Sequence, residues 1–411
     1  MSFRLGSKPR FFGLALLMAA VVLPAATPHR GSGAANAQTA EIEVPEPKPA
    51  QSPSMKKRMA IYRKQLAAYK KARAAYEKHA SPYWSKVSSM RTKRRRKRSR
   101  GATVTLKDYV LEQPPLYKGP NEPRNPQTKK RESSDIPVVA DFLAHARRHF
   151  DFVPERPQSE MAYKRAYARV ASEAGLTKET CIRVYGFESG GNGKYDVQAG
   201  LEYGRPGERA ISTALGYNQL LTANTIGLLA EHGNEFVANL RAKAAGTNGE
   251  RKAKLEEKAA KLSRMVRFTR SVANDWYKHV RLGRTDKGRG VHALNLDIDI
   301  GPMLQTQKLL NSVIFAKRVG HDETLSAAEL EMMNLTGDGN GIDMVMMPEE
   351  MRKKVPTSNF FLQRGYERNP VAIRNNTVAK LIGATDAKMQ REARLQGARD
   401  LAAAFDEVAQ K

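Results

Sequence analysis

Through most of the second half of the chain, apolar residues recur at three- and four-residue spacing. Nowhere do they alternate over a run long enough to build a large sheet. The spacing predicts a first helix over 138–150, with Val139, Phe142, Leu143 and Ala146 on one side, and a second over 159–174. Thr177 is placed to cap a third, which carries Ile182, Val184 and Tyr185 and stops at Gly190-Gly191. Another begins at Thr222 and runs through Leu228, Leu229 and Phe236. Residues 241–265 are dense in charge and read as a solvated helix or hairpin. Further helices are predicted over 266–281, 300–319, 326–334 and 386–411. The fold class is mostly α, with compact sequence over 137–411 and no internal repeat.

The first 136 residues have a different texture. A basic start with Arg4, Lys8 and Arg10 leads into an apolar run from Phe11 to about Ala26, then to Ala35-Asn36-Ala37-Gln38. That order reads as a secretory signal over 1–37 with a small-x-small cleavage site, the alternative being an uncleaved anchor. The run falls short of the roughly 20 apolar residues of a membrane span. Residues 38–54 are rich in Pro, Ala and Glu and read as a linker. Residues 55–100 form a basic helical or disordered segment. Tyr62, Tyr69, Tyr76 and Tyr83 repeat every seven residues, with Met59 and Leu66 three residues before Tyr62 and Tyr69, as in a short heptad seam or a single basic helix with one sticky side. Residues 101–136, with Pro114, Pro115, Pro120, Pro123 and Pro126, read as a second linker.

Charge sharpens this division. The net charge is +28, and residues 51–100 hold 18 Lys or Arg against the single acid Glu77. The run Arg91 to Arg100 is the densest part. Like charges at that density repel, so the run is expected to be disordered or bound to a polyanion. With an export signal in front, the expected partner is an anionic envelope polymer or membrane surface, not nucleic acid, and the expected location is periplasmic. Cys181 is the only cysteine, so no internal disulfide supports the fold.

Candidate chemistry is concentrated in two segments. In Val184-Tyr-Gly-Phe-Glu188-Ser189-Gly190-Gly191, a carboxylate ends a helix and meets a glycine turn. The negative end of the helix and the apolar Tyr185 and Phe187 both disfavour its charged form. A carboxyl kept protonated in this way can act as a general acid. In Ser212-Thr-Ala-Leu-Gly216-Tyr217-Asn218-Gln219-Leu220, Gly216 allows a close backbone approach, and Gln219 offers a donor and an acceptor suited to a sugar's hydroxyl or acetamido group.

Together these segments resemble the lytic transglycosylases, a family with a lysozyme-like fold. Glu188-Ser189 matches the family's Glu-Ser at a helix end. Gly216-Tyr217-Asn218-Gln219-Leu220 matches its downstream Gly-Leu-Met-Gln-Ile/Leu motif, with Tyr-Asn in place of Leu-Met. His292 to Asp297 and Gly301 to Gln305 are similar to later helices of such enzymes. The resemblance implies that one carboxyl, Glu188, protonates the bridging oxygen after N-acetylmuramic acid. It then deprotonates that sugar's 6-hydroxyl to leave a 1,6-anhydro product. Ser189 would orient Glu188, while Gln219 and Gly216, with Tyr217 and Asn218, would hold the glycan. The family's late Ala-Tyr-Asn-Ala-Gly segment is absent, and Gly365-Tyr366-Glu367-Arg368-Asn369-Pro370 is its stand-in, so Tyr366 joins the candidate substrate residues. No cofactor or metal is implied.

Other readings stay open. Asp196, Glu202 and Glu208 could supply the second carboxylate of a hydrolase. A degenerate enzyme fold could serve as a non-catalytic peptidoglycan scaffold, or the function could lie in polyanion binding by residues 55–100. Asp338, Asn340 and Asp343 hint at a calcium loop but do not complete an EF-hand. Met332, Met333, Met344, Met346 and Met347 are expected in the core.

Overall fold

The computed structural model describes residues 53–127, 136–191, 193–201 and 210–410. The signal and most of the first linker, like Glu202 and Glu208, lie outside them. The described residues are mostly helical and contain no strand, only isolated bridges such as Gln198 with Leu215 and Pro356 with Thr377. None of the described helices is long and apolar enough to cross a membrane.

In chain order the helices are α1 (Pro53–Ser99), α2 (Val139–Phe150), α3 (Glu160–Glu173), α4 (Lys178–Ser189), α5 (Thr222–Ala245), α6 (Gly249–Thr269), α7 (Trp276–Gly283) and α8 (Asp286–His292). They continue with α9 (Gly301–Arg318), α10 (Ala327–Thr336), α11 (Asp338–Val345), α12 (Glu349–Arg352), α13 (Gln363–Glu367), α14 (Pro370–Arg374), α15 (Val378–Glu392) and α16 (Gln396–Ala409). Side-chain caps set several starts. Ser159, Thr177 and Ser326 accept from Ala162, Thr180 and Glu329 backbone N–H groups, each satisfying an otherwise orphaned donor. The predicted helix over 386–411 is instead two helices, α15 and α16, separated by a turn at 393–395.

The chain divides into two compact units, one of residues up to 79 with 117–130, the other of 80–116 with 131–411. In the first, Tyr117 stands edge-on to Tyr69 and Tyr76, at 6.2 and 5.4 Å between ring centres, and Arg73 lies 4.8 Å from the Tyr76 ring. Two tyrosines of the seven-residue pattern are thus covered by the chain's own later segment.

The second unit holds the main core. Tyr163, Tyr167, Tyr185 and Tyr217 are all fully buried there, beside the helical apolar faces of α5, α6 and α16. The expected disorder of the basic run is corrected within this unit. Arg91 to Ser99 is helix, Arg94 is fully buried and Arg91 nearly so. Arg94 donates to the carbonyls of Asp108 and Asn359, at 3.1 Å each, and pairs with Asp343 at 3.5 Å. Arg91 donates to the carbonyls of Asn359 and Phe361. A buried guanidinium is tolerated when its donors are met in this way. The second linker is corrected likewise, because Asp108, Tyr109 and Val110 are buried in the same unit.

The stretch weighed as a calcium loop is helix α11. Its Asp343 is taken by Arg94 and Arg98, and Asp338 accepts from Ser312 at 2.9 Å. Met332, Met333, Met344 and Met347 are buried, whereas Met346 is exposed. Residues 241–265 divide between α5 and α6, and not all of their charge is solvated. Lys258 is buried against Asp297 and Asp299, at 3.0 and 2.5 Å.

Candidate active site

Helix α4 brings Glu188 to its position. Gly190 ends the helix in the left-handed region at φ 75°, and Gly191 follows at φ 68°. A Cβ on Gly191 would come within 2.8 Å of the Glu392 carbonyl, so this turn fits closely against the α15–α16 junction. Further back, Tyr185 packs edge-on to Tyr217 at 4.4 Å between ring centres, which anchors the buried face of α4. Glu188 therefore sits in the last turn, where the helix dipole disfavours a negative charge.

Three other helices surround its carboxyl. Asn334 of α10 donates its Nδ2 to Glu188 Oε1 at 2.7 Å. The same nitrogen lies 3.3 Å from Glu331 Oε2, one turn back on α10. Lys308 of α9 brings its Nζ to 3.8 Å from Glu188 and donates to the Asn218 carbonyl at 2.7 Å. Lys388 of α15 lies 4.1 Å from the Phe187 ring centre and adds a fourth ionisable side chain to the group. Helix α10 is fixed by close packing, since a Cβ on Gly341 of α11 would meet the Met333 Cα at 2.3 Å.

Burial dominates the electrostatics. It raises the Glu188 carboxyl above its ordinary range, against the opposing influence of Lys308, Asn334 and Lys388. Glu331, only 7% exposed, is pushed up to about 8 by burial and by the Glu188 charge. The pair therefore retains a proton at neutral pH. The Glu188 side chain keeps 16% of its surface open, so solvent or a ligand can reach one edge. Two surface cavities, of about 480 and 270 Å³, lie elsewhere in the same unit, and Glu188 lines neither.

The second sequence motif has a different role from the one expected of it. Gly216, at φ 83°, does make a close approach, but to Gln305: a Cβ there would fall 2.5 Å from Gln305 Nε2. Gln305 is fully buried and joins three segments. It accepts from the Asn218 N–H at 2.8 Å and donates to the Leu215 carbonyl at 3.1 Å and to Asn295 Oδ1 at 2.9 Å. Tyr217 and Asn218, expected on the glycan, are fully buried and cannot touch it in this conformation. Tyr217 donates to Glu160, and Asn218 Nδ2 donates to the Gln305 carbonyl at 2.6 Å. Gln219, at φ 42°, turns its amide back onto the carbonyls of Gly216 and Val197 at 2.8 and 3.2 Å. Its donor is thus used within the turn.

Ser189 is also corrected. Its hydroxyl donates to the Tyr185 carbonyl at 2.5 Å, one turn back in its own helix, and not to Glu188. Tyr366 is buried against Trp84 and Phe361, at 5.7 and 6.0 Å between ring centres, so it offers no open face to a sugar. Asp196 is paired with Arg156. The link between the two motifs is real but indirect: it runs from Glu188 through Lys308 to the Asn218 carbonyl. Sequence reasoning missed Glu331, Asn334, Lys308 and Lys388. The available signal was Glu331-Met-Met-Asn334, a polar pair three residues apart on either side of two methionines in the helix predicted over 326–334.

No family model, curated protein or solved structure matches this chain.

Proposed function

We propose that the chain is a peptidoglycan lytic transglycosylase with Glu188 as its acid/base. One observation carries this reading. A glutamate at a helix end has its carboxyl raised by burial, still keeps an open edge, and faces a lysine across 3.8 Å. Those are the requirements for a carboxyl that gives up a proton and later recovers one. In the first half of the reaction Glu188 donates its proton to the oxygen bridging N-acetylmuramic acid to the next sugar, and that bond breaks. Lys308 and Asn334 then hold the carboxylate that remains. In the second half Glu188 takes the proton from the 6-hydroxyl as that oxygen closes on C1. The carboxyl is restored, and no water is consumed.

Glu331 does not suit the role of a second flanking carboxylate. One amide nitrogen of Asn334 reaches both carboxyls, so no sugar ring fits between them as the two-carboxylate hydrolases need. Its role in this reading is to keep negative charge low beside Glu188 at neutral pH. A location in the periplasm and a partner in the glycan strands belong to the same proposal. The exposed lysines and arginines early in α1 would favour an anionic envelope surface, without Arg91 and Arg94, which the fold has taken.

The test is digestion of purified sacculi with the full chain. Anhydro-muropeptides detected by mass spectrometry, and lost by about 10² to 10⁴-fold in Glu188→Gln, are the expected result. Reducing-end products alone would identify a hydrolase. Binding to sacculi without any product, unchanged in the variant, would identify a scaffold.

A further inference from the structure

The cavity of about 480 Å³ lies between the start of α5, helix α7 and the residues leading into and through α8. Its lining includes Thr213, Thr222, Trp276, Arg284 and Arg289, and no acidic residue. Four features of this lining converge on one ligand chemistry.

The first is the floor. Leu221, Thr222 and Ala223 are the cap and first two residues of α5, a helix of 24 residues. The N–H groups of Leu221 and Thr222 are already accepted by Asn224 Oδ1 and Thr213 Oγ1, at 3.0 and 3.2 Å, so the floor contributes the partial positive charge of the helix start. Second, Thr222 is only 5% exposed, yet its hydroxyl has no hydrogen-bond partner. An orphaned buried hydroxyl costs stability, and a bound acceptor would remove that cost. Third, the Arg289 Nε is also buried without a partner, although the same guanidinium reaches Asp286 at 3.3 Å through Nη1. Arg284 is exposed at the rim and forms no ion pair among the described residues. Fourth, Trp276 is half-buried in the wall and offers a flat apolar face.

We propose that this cavity binds an oxyanion, a carboxylate or phosphate carried on a small organic molecule whose body lies along Trp276. Arg284 and Arg289 supply the charge, the Thr222 hydroxyl supplies a neutral donor, and the start of α5 adds partial positive charge. The volume admits one saccharide- or amino-acid-sized molecule. Nothing in this assignment depends on Glu188, so the two proposals can fail separately.

Trp276 makes the test direct. The chain has two tryptophans, and Trp84 is buried against Tyr366, so the full chain carrying Trp84→Phe reports emission from Trp276 alone. Inorganic phosphate and succinate are titrated separately against sodium chloride at matched ionic strength. At least one anion is expected to shift the emission saturably and raise the melting temperature, while chloride does neither. A stronger response to phosphate assigns a phosphate ligand, and a stronger response to succinate a carboxylate. Arg284→Gln with Arg289→Gln should weaken the affinity by roughly tenfold or more. Thr222→Val offers a control that keeps the shape of the site. It should melt higher than its parent without anion and gain less when anion is added. A flat titration with both anions and an unmoved melting temperature would overturn the proposal. So would an undiminished response in the double arginine variant.

Discussion

The most exacting prediction concerns the buried carboxyl of Glu331. Folding raises it from the ordinary 4.5 to about 8. The sign follows from proton linkage. Above the unfolded value the unfolded chain has released this proton, while the folded chain keeps it up to about pH 8. Stability therefore falls as pH rises through that window and levels off above it. At about 1.4 kcal/mol per unit, the fall between about pH 5 and pH 7.5 is on the order of 3 kcal/mol from this group. Glu331→Gln keeps the shape and an acceptor for Asn334 but removes the ionisation. Its unfolding free energy, measured by denaturant titration across that range, should lose most of the downward slope relative to the parent chain. The variant should be the more stable of the two near pH 8 and nearly equal to it at pH 5. Other buried acids are raised as well, among them Asp297 and Asp338, but they are common to both chains and cancel in the difference. Parallel pH profiles for the two chains would refute the reasoning, because they would mean that Glu331 is ionised and solvated in the folded state.

Three further outcomes follow from particular contacts. Lys308→Met removes the positive charge 3.8 Å from Glu188, so the carboxyl should rise further and the alkaline limb of the activity profile should move up by as much as ~1 pH unit. Gly216→Ala places a Cβ 2.5 Å from Gln305 Nε2 at φ 83°, and chemical denaturation should show a loss of about 2–4 kcal/mol. Arg94→Leu takes one guanidinium from Asp343 and from the Asn359 carbonyl, which keep Arg98 and Arg91, and leaves the Asp108 carbonyl without its side-chain donor, so the melting curve should reflect a loss of about 1–3 kcal/mol.

The helical class was legible in the sequence because amphipathic spacing is a local property. The runs around Phe142, Val184 and Leu228 each marked a helix that the structure contains. The basic run was misread for a reason that is equally physical. Charge density along a sequence says what a segment would do alone in water, and Arg94 is not alone. Its partners Asp108, Asp343 and the Asn359 carbonyl arrive from three separate places in the chain. Gly216 shows the same limit. Its positive φ and need for space could be anticipated from the motif, but whether the space admits a ligand or a neighbour's side chain depends on Gln305, almost 90 residues later.

Glu188 stands out in the sequence because one helix end carries its own signal, a carboxylate followed by glycines. Its neighbours do not, because no single segment contains them. They come from α9, α10 and α15, and only folding sets Lys308, Glu331, Asn334 and Lys388 around one carboxyl. That grouping argues for function more strongly than the motif does. Two carboxyls sharing one amide donor in a poorly solvated place oppose folding as pH rises. Packing alone would be better served there by apolar residues, as it is at Met332 and Met333 on the same helix. Beside Met332 and Met333 in the core, the same helix thus buries Glu331 next to Glu188 and bridges the two with the exposed Asn334, and the stability given up at Glu331 is the physical reason to look for chemistry at that position.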